Sequence, residues 1–264
     1  MQTGLDTIAT KKYIILALVV CASVNLISNS IGTDAAIFVG NMMYVPIAGA
    51  FLAVSVLMIS RFGTSGNIGI AWVSFGGYAI SWFIAEMLWI VQELYLKVDP
   101  FPSSADIFYL VGYPFLLMFF IAYLQPVRSA ITKKMLAASS SLAVGVLIPS
   151  LYLALEPSTI SDLLQLILSV IYPTFDAMIL IPALIGVALF FKGQVNFTWT
   201  LICLGTISVF VADTAFLFAQ NEDSYYTGNP MEIMFYWNYI LLTFGVFGHM
   251  KLFQRSKQDN AQYR

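Results

Sequence analysis

The chain has 264 residues, 59% of them hydrophobic and only 10% charged, with a formal net charge of −2 at pH 7. A soluble domain carries roughly a quarter charged residues, so this composition excludes a mainly water-facing surface, and the near-neutral charge gives no basis for a nucleic-acid partner. Cys21 and Cys203 fall inside apolar runs and read as reduced, buried thiols, and with His249 as the single histidine there is no Cys/His metal cluster and no implied cofactor.

A hydrocarbon core about 30 Å thick needs about 20 apolar residues in helix. Eight runs meet that measure, 13–32, 36–60, 68–96, 104–126, 134–154, 162–191, 197–220 and 230–253, and alternation at period 2 is absent. The expected fold is all-α, a polytopic integral membrane protein of eight transmembrane helices. In chain order, span 1 follows Lys11 and Lys12 and reads either as a retained helix, with Asn25 to Ser30 in its interior, or as a signal peptide that leaves seven spans. Span 2 carries Pro46. Span 3 sets Trp82, Glu86, Trp89 and Glu93 on one face by their spacing of three and four.

Span 4 opens with Pro102-Ser103-Ser104-Ala105-Asp106, a capping-box-like start with Ser103 as cap and Asp106 at the third helical position. Asp106, Tyr109 and Tyr113 share a face, and Pro114 marks a kink. Span 6 holds Asp176 between Pro173 and Pro182, and span 7 holds Asp213. Span 8 repeats the capping device as Asn229-Pro230-Met231-Glu232, with Tyr236 and Tyr239 on the face of Glu232, and His249 is expected at its end, where a helix C-terminus tolerates a cation. Span 7 carries no lysine and span 8 has Lys251 only at its end, so neither offers a lysine inside the span for a retinal Schiff base.

On this eight-span layout Lys11, Lys12, Arg61, Arg128, Lys133, Lys134, Lys192, Lys251, Arg255, Lys257 and Arg264 share one side and only Lys97 falls on the other. Cytoplasmic loops retain Lys and Arg, which puts both termini in the cytoplasm and the protein in the cell membrane. The Asn196-Phe197-Thr198 sequon then lies inside and is discounted.

"AISWFIAE" (79–86) and "TISVFVAD" (206–213) match in register at an offset of 127, with Glu86 opposite Asp213; Pro46 and Pro173 share that offset, and "DIFYLVGY" (106–113) aligns with "EIMFYWNY" (232–239) at 126. These point to a 4+4 duplication with both halves in the same orientation. The domains are then a tail 1–12, a first repeat 13–126, a second repeat 127–253 and a tail 254–264.

Glu86, Asp176 and Asp213 sit well inside spans, where an ionised side chain costs several kcal/mol unless it is paired or hydrated. With Asp106, Glu232, Trp82, Trp89, Tyr109, Tyr113 and Tyr236 they define a candidate outward-opening, acidic and aromatic cavity for a small cation, an organic cation or a lipid head group. The competing possibility is an interfacial aromatic belt with snorkelling acids.

The segments "PFPSSADIFYLVGYPF", "IYPTFDAMIL", "VADTAFLF" and "YYTGNPMEIMFYWNY" resemble the membrane input region found ahead of many bacterial diguanylate cyclases and some histidine kinases, and similar stand-alone proteins occur in archaea. The resemblance runs from about Trp82 to the end of span 8, and Asp106, Tyr109, Tyr113 and Pro114 match its core motif. It implies a sensor-like membrane fold. No cyclase or kinase domain follows span 8 in this sequence, so the expected partners are the bilayer and a separate signalling or membrane-complex subunit. Asp213, Gly228, Phe235 and Tyr239 also resemble the pattern of lysoplasmalogenase-type membrane hydrolases, although that family's histidine is here Trp237 or Asn238. A carboxylate pair acting on a lipid head group is the enzymatic alternative. A small-solute transporter, suggested by the duplication and by Asp176, is the third. The favoured expectation is a binding module rather than an enzyme.

Overall fold

The computed structural model describes residues 2–155, 163–190 and 196–262. Lys192, Arg264 and the outermost residues of the expected span 162–191 lie outside them. Among the described residues there is no strand, and eight long helices run α1 Gln2–Ile31, α2 Thr33–Phe62, α3 Gly66–Ile90, α4 Ser104–Leu124, α5 Lys133–Ala154, α6 Leu163–Phe190, α7 Asn196–Asn221 and α8 Ile233–Gln262. Seven of them, α1 to α7, are long and apolar enough to cross a membrane. In α8 the polar residues Tyr236, Asn238, Tyr239 and His249 dilute the apolar ones, and all four are fully buried. Its polarity faces the protein interior.

Helix ends follow local chemistry. Ser103 accepts the Ala105 amide and Asp106 returns a carboxylate to the Ser103 amide, which completes the capping box anticipated for α4. Thr132 caps α5 by accepting from Met135, and Asn229 accepts from Met231 to start a 3₁₀ turn, Pro230–Glu232, that leads into α8. Two extents differ from expectation: α1 reaches back to Gln2 and α8 forward to Gln262, through both predicted tails. No proline interrupts either segment. At the far end of α3 the backbone loosens into a π-helical turn, Val91–Leu96, closed by Lys97 at φ 55°.

The two central helices are α3 and α7, each 61% buried over its most apolar stretch, against 22% for α1 and 17% for α5. Peripheral α1 and α5 present Ile15, Leu16, Ile27, Leu142 and Ile148 outward, as a lipid-facing helix does. Helices adjacent in sequence pack as α1–α2, α2–α3, α3–α4, α5–α6, α6–α7 and α7–α8, and α2–α8 and α4–α6 close the bundle.

One end of the bundle carries Gly32, the α3–α4 connection and the α7–α8 loop. There Asn25 and Asn29 each donate to the Gly228 carbonyl, at 2.8 and 2.7 Å, and Tyr226 donates to Asn29, so the α7–α8 loop is fastened to α1. The opposite end is a packed aromatic plug. Trp72 and Trp199 are fully buried, Tyr123 lies 4.7 Å from Trp199 between ring centroids, and Phe75 lies 4.7 Å from Phe119.

His249 belongs to this plug, which corrects the sequence expectation. Because α8 continues past it, it is not at a helix terminus, and it is wholly buried. The Gly245 carbonyl can only accept, so Nδ1 donates to it, and Tyr123 donates to Nε2 at 2.8 Å; a neutral imidazole satisfies both contacts. Its ring stands edge-on to Trp72 with centroids 5.4 Å apart.

Candidate functional site

Five acids lie buried in the upper half of the bundle, on the side of the α7–α8 loop: Glu86 on α3, Asp106 on α4, Asp176 on α6, Asp213 on α7 and Glu232 before α8. A buried carboxyl needs hydrogen-bond donors, since an unsatisfied or unpaired polar group in low dielectric costs several kcal/mol. Tyrosines from other helices supply them. Tyr239 donates to Glu86 at 2.6 Å, and Tyr172 donates to Asp106 at 2.7 Å. Glu232 receives Tyr44 at 3.0 Å, Tyr236 at 3.3 Å and Tyr225 on its other oxygen. Tyr113 bridges two acids, 2.8 Å from Asp176 Oδ1 and 2.9 Å from Asp213 Oδ2.

These groups enclose a chamber of about 50 Å³. It is lined by Glu86, Asp106, Asp213 and Glu232, by Trp82, Trp89, Tyr44, Tyr109, Tyr172 and Tyr225, and by Phe216, Leu217 and Phe235. Among the described residues no Lys, Arg or His lines it. The Trp82 indole is held by a 3.1 Å hydrogen bond to the Tyr109 carbonyl and Trp89 by one of 3.0 Å to Thr227, so both rings are fixed. A wider cleft of about 550 Å³ lies beyond Tyr225, which borders both spaces. Exposed Asp34, Lys97 and Asp99 rim it, and Glu93 reaches into it while accepting from Asn41 at 2.7 Å.

Of the residues anticipated from sequence, Glu86, Asp106, Asp213, Glu232, Trp82, Trp89 and Tyr109 line the chamber. Asp176, Tyr113 and Tyr236 do not; they lie behind its wall, bonded to acids that do or, for Asp176, sharing Tyr113 with one. Sequence reasoning did not assign Tyr44, Tyr172 or Tyr225 to the site. Tyr172 immediately precedes Pro173 and Tyr44 stands two residues before Pro46, and that recurrence was the available signal. Among the described residues no group of three or more His, Cys, Asp or Glu side chains has the geometry to hold a metal ion. No family model, curated protein or solved structure matches the chain.

Proposed function

We propose that the protein is an eight-span membrane module, built as a same-orientation 4+4 duplication, whose acidic and aromatic chamber opens to the outside and binds a small monovalent cation as a sensor-like or accessory subunit. The observation that carries this is the lining: four carboxyls share one chamber with two tryptophans and four tyrosines, and no basic side chain is among them. Carboxyls gathered in low dielectric attract positive charge, and tryptophan and tyrosine faces add cation–π attraction. The volume narrows the ligand. At roughly 10–15 Å³ per water on this measure, the chamber accommodates a few water-sized particles. Sodium, potassium, ammonium or methylammonium match that size; a quaternary ammonium head group is confined to the wider cleft.

The duplication is supported by bonds that recur within one residue of the 127-residue offset. Tyr239 on Glu86 corresponds to Tyr113 on Asp213, and Tyr44 on Glu232 corresponds to Tyr172 on Asp106. Trp72 and Trp199 stand 127 positions apart in the aromatic plug, and the contact of α2 with α8 is the counterpart of α4 with α6. Sidedness rests on the cations, with Lys97 the only one at the chamber end among the described residues. The plug closes the far side, which favours a one-sided receptor over a through-going transporter. A separate signalling or membrane-complex subunit would read out occupancy.

The test is equilibrium binding to purified protein in lipid nanodiscs, with radiolabelled methylammonium competed by sodium, potassium and ammonium. Saturable binding at a single site is expected, weakened at least tenfold by Glu86→Gln and by Asp213→Asn in protein that still unfolds cooperatively. If no cation binds saturably, or if both variants bind as the wild type does, the proposal fails. Accumulation of methylammonium in proteoliposomes would reassign the chamber to transport.

A further inference from the structure

The wall behind the chamber holds more acid than hydrogen. Tyr113 has one hydroxyl hydrogen, yet its oxygen lies 2.8 Å from Asp176 and 2.9 Å from Asp213. Sharing that one hydroxyl, the two carboxyls are close neighbours. Asp176, only 3% exposed, has a second oxygen, Oδ2, that is buried and reached by no donor. Were both acids ionised, two negative charges and one donor hydrogen would have to account for contacts that need two hydrogens. One added proton resolves every contact: Tyr113 donates to one carboxylate and the other group, as a carboxylic acid, donates in turn.

We infer that Asp176, Tyr113 and Asp213 form a proton-binding site, a triad that holds a single shared proton behind the floor of the chamber. The groups facing it give that proton no cationic competitor. Among the described residues, Tyr78 and Glu86 approach from α3, Asp106 from α4 and Tyr172 from α6. On α5 the ionisable side chains are Lys133, Lys134 and Tyr152, all exposed. The second acid is not demanded by the helix packing, for at the offset of 127 the position equivalent to Asp176 in the first half is Gly49. The acid pair belongs to one half alone.

Asp213 lines the chamber and Asp176 does not, so the triad borders the space where a cation would arrive. On the cation-binding reading given above, a monovalent cation entering beside Asp213 displaces the shared proton, which leaves through the cleft to bulk buffer. One positive charge enters and one leaves, so the triad becomes more negative by one and its net charge together with the bound cation is unchanged. Cation binding is then linked to pH and weakens as pH falls.

Infrared spectroscopy of the ligand-free protein in nanodiscs tests the proton without reference to any ligand. A carboxylic-acid C=O band is expected at neutral pH, sensitive to deuterium exchange, absent from both Asp176→Asn and Asp213→Asn, shifted in Tyr113→Phe and retained in Glu86→Gln. If neither aspartate variant removes such a band, the triad holds no proton and the inference is overturned. With methylammonium as the probe, calorimetry in buffers of different ionisation enthalpy then counts protons. Release of one proton per cation, abolished in Asp176→Asn, is expected. A band without proton release would overturn the exchange while leaving the proton site standing, and a band without any cation binding would sink the proposed function alone.

Discussion

Tyr44, Tyr113, Tyr172 and Tyr239 each carry a hydroxyl from one helix to a carboxyl on another, so the acids of the chamber also bind the helices together. The consequence for a single residue is measurable. Tyr172→Phe leaves Asp106 with only its capping bond from the Ser103 amide, and a buried acceptor stripped of one donor costs about 1–3 kcal/mol. Ser103→Ala, which removes the other half of the capping box, is expected to cost about 1 kcal/mol. Thermal unfolding of both variants checks the order, Tyr172→Phe being the more damaging. The acids were legible in the sequence because an ionisable residue inside an apolar run is costly enough to stand out. Their tyrosine partners were not, since Tyr44 and Glu232 lie 188 positions apart and no local spacing encodes the contact. Tyr225 lies in the α7–α8 loop, where no local sequence feature marks it as a chamber residue.

Among the elements, the α7–α8 loop depends on close backbone approach. Gly228 has φ +84°, and a Cβ built there would lie 2.1 Å from the Ala36 carbonyl oxygen, while a Cβ on Gly40 would lie 2.6 Å from the Gly228 Cα. Only glycine permits both the left-handed backbone and the contact. Gly228→Ala is therefore expected to lower stability by about 1–3 kcal/mol or more, by lifting the loop off α1 and α2 and breaking the Asn25 and Asn29 bonds. Limited proteolysis near Ser224 should report the same change as faster cleavage. Helix existence was readable from apolar runs near bilayer length, and the α4 start from its capping box. The π-helical turn at Val91–Leu96 was not readable, because no glycine or proline marks the segment. The continuation of α1 and α8 through charged segments escaped notice for a related reason: charge ends an apolar run, but it does not end a helix.

For the molecule as a whole, the placement of polar groups reverses that of a soluble protein, with aliphatic side chains outside on α1 and α5 and acids, amides and hydroxyls inside. The proposed topology rests on the basic residues and is open to direct measurement. Asn67 and Thr132 are exposed at the plug end and Ser224 is exposed at the chamber end. With the buried native cysteines left in place, cysteines introduced at Asn67 or Thr132 should resist an impermeant thiol reagent in intact cells, whereas Ser224→Cys should react. The reverse pattern would invert the orientation. The overall class was legible from composition alone. That the most polar helix, α8, is also deeply enclosed required knowing which of its faces turns inward.

The fixed indoles have a practical consequence as well. The chain holds 5 tryptophans, and they divide by environment: Trp82 and Trp89 border the chamber, Trp72 and Trp199 are sealed in the aromatic plug, and Trp237 donates to the Leu18 carbonyl. If the proposed cation site is occupied, a change in emission is expected from Trp82 and Trp89, while Trp72 and Trp199 report on the integrity of the fold.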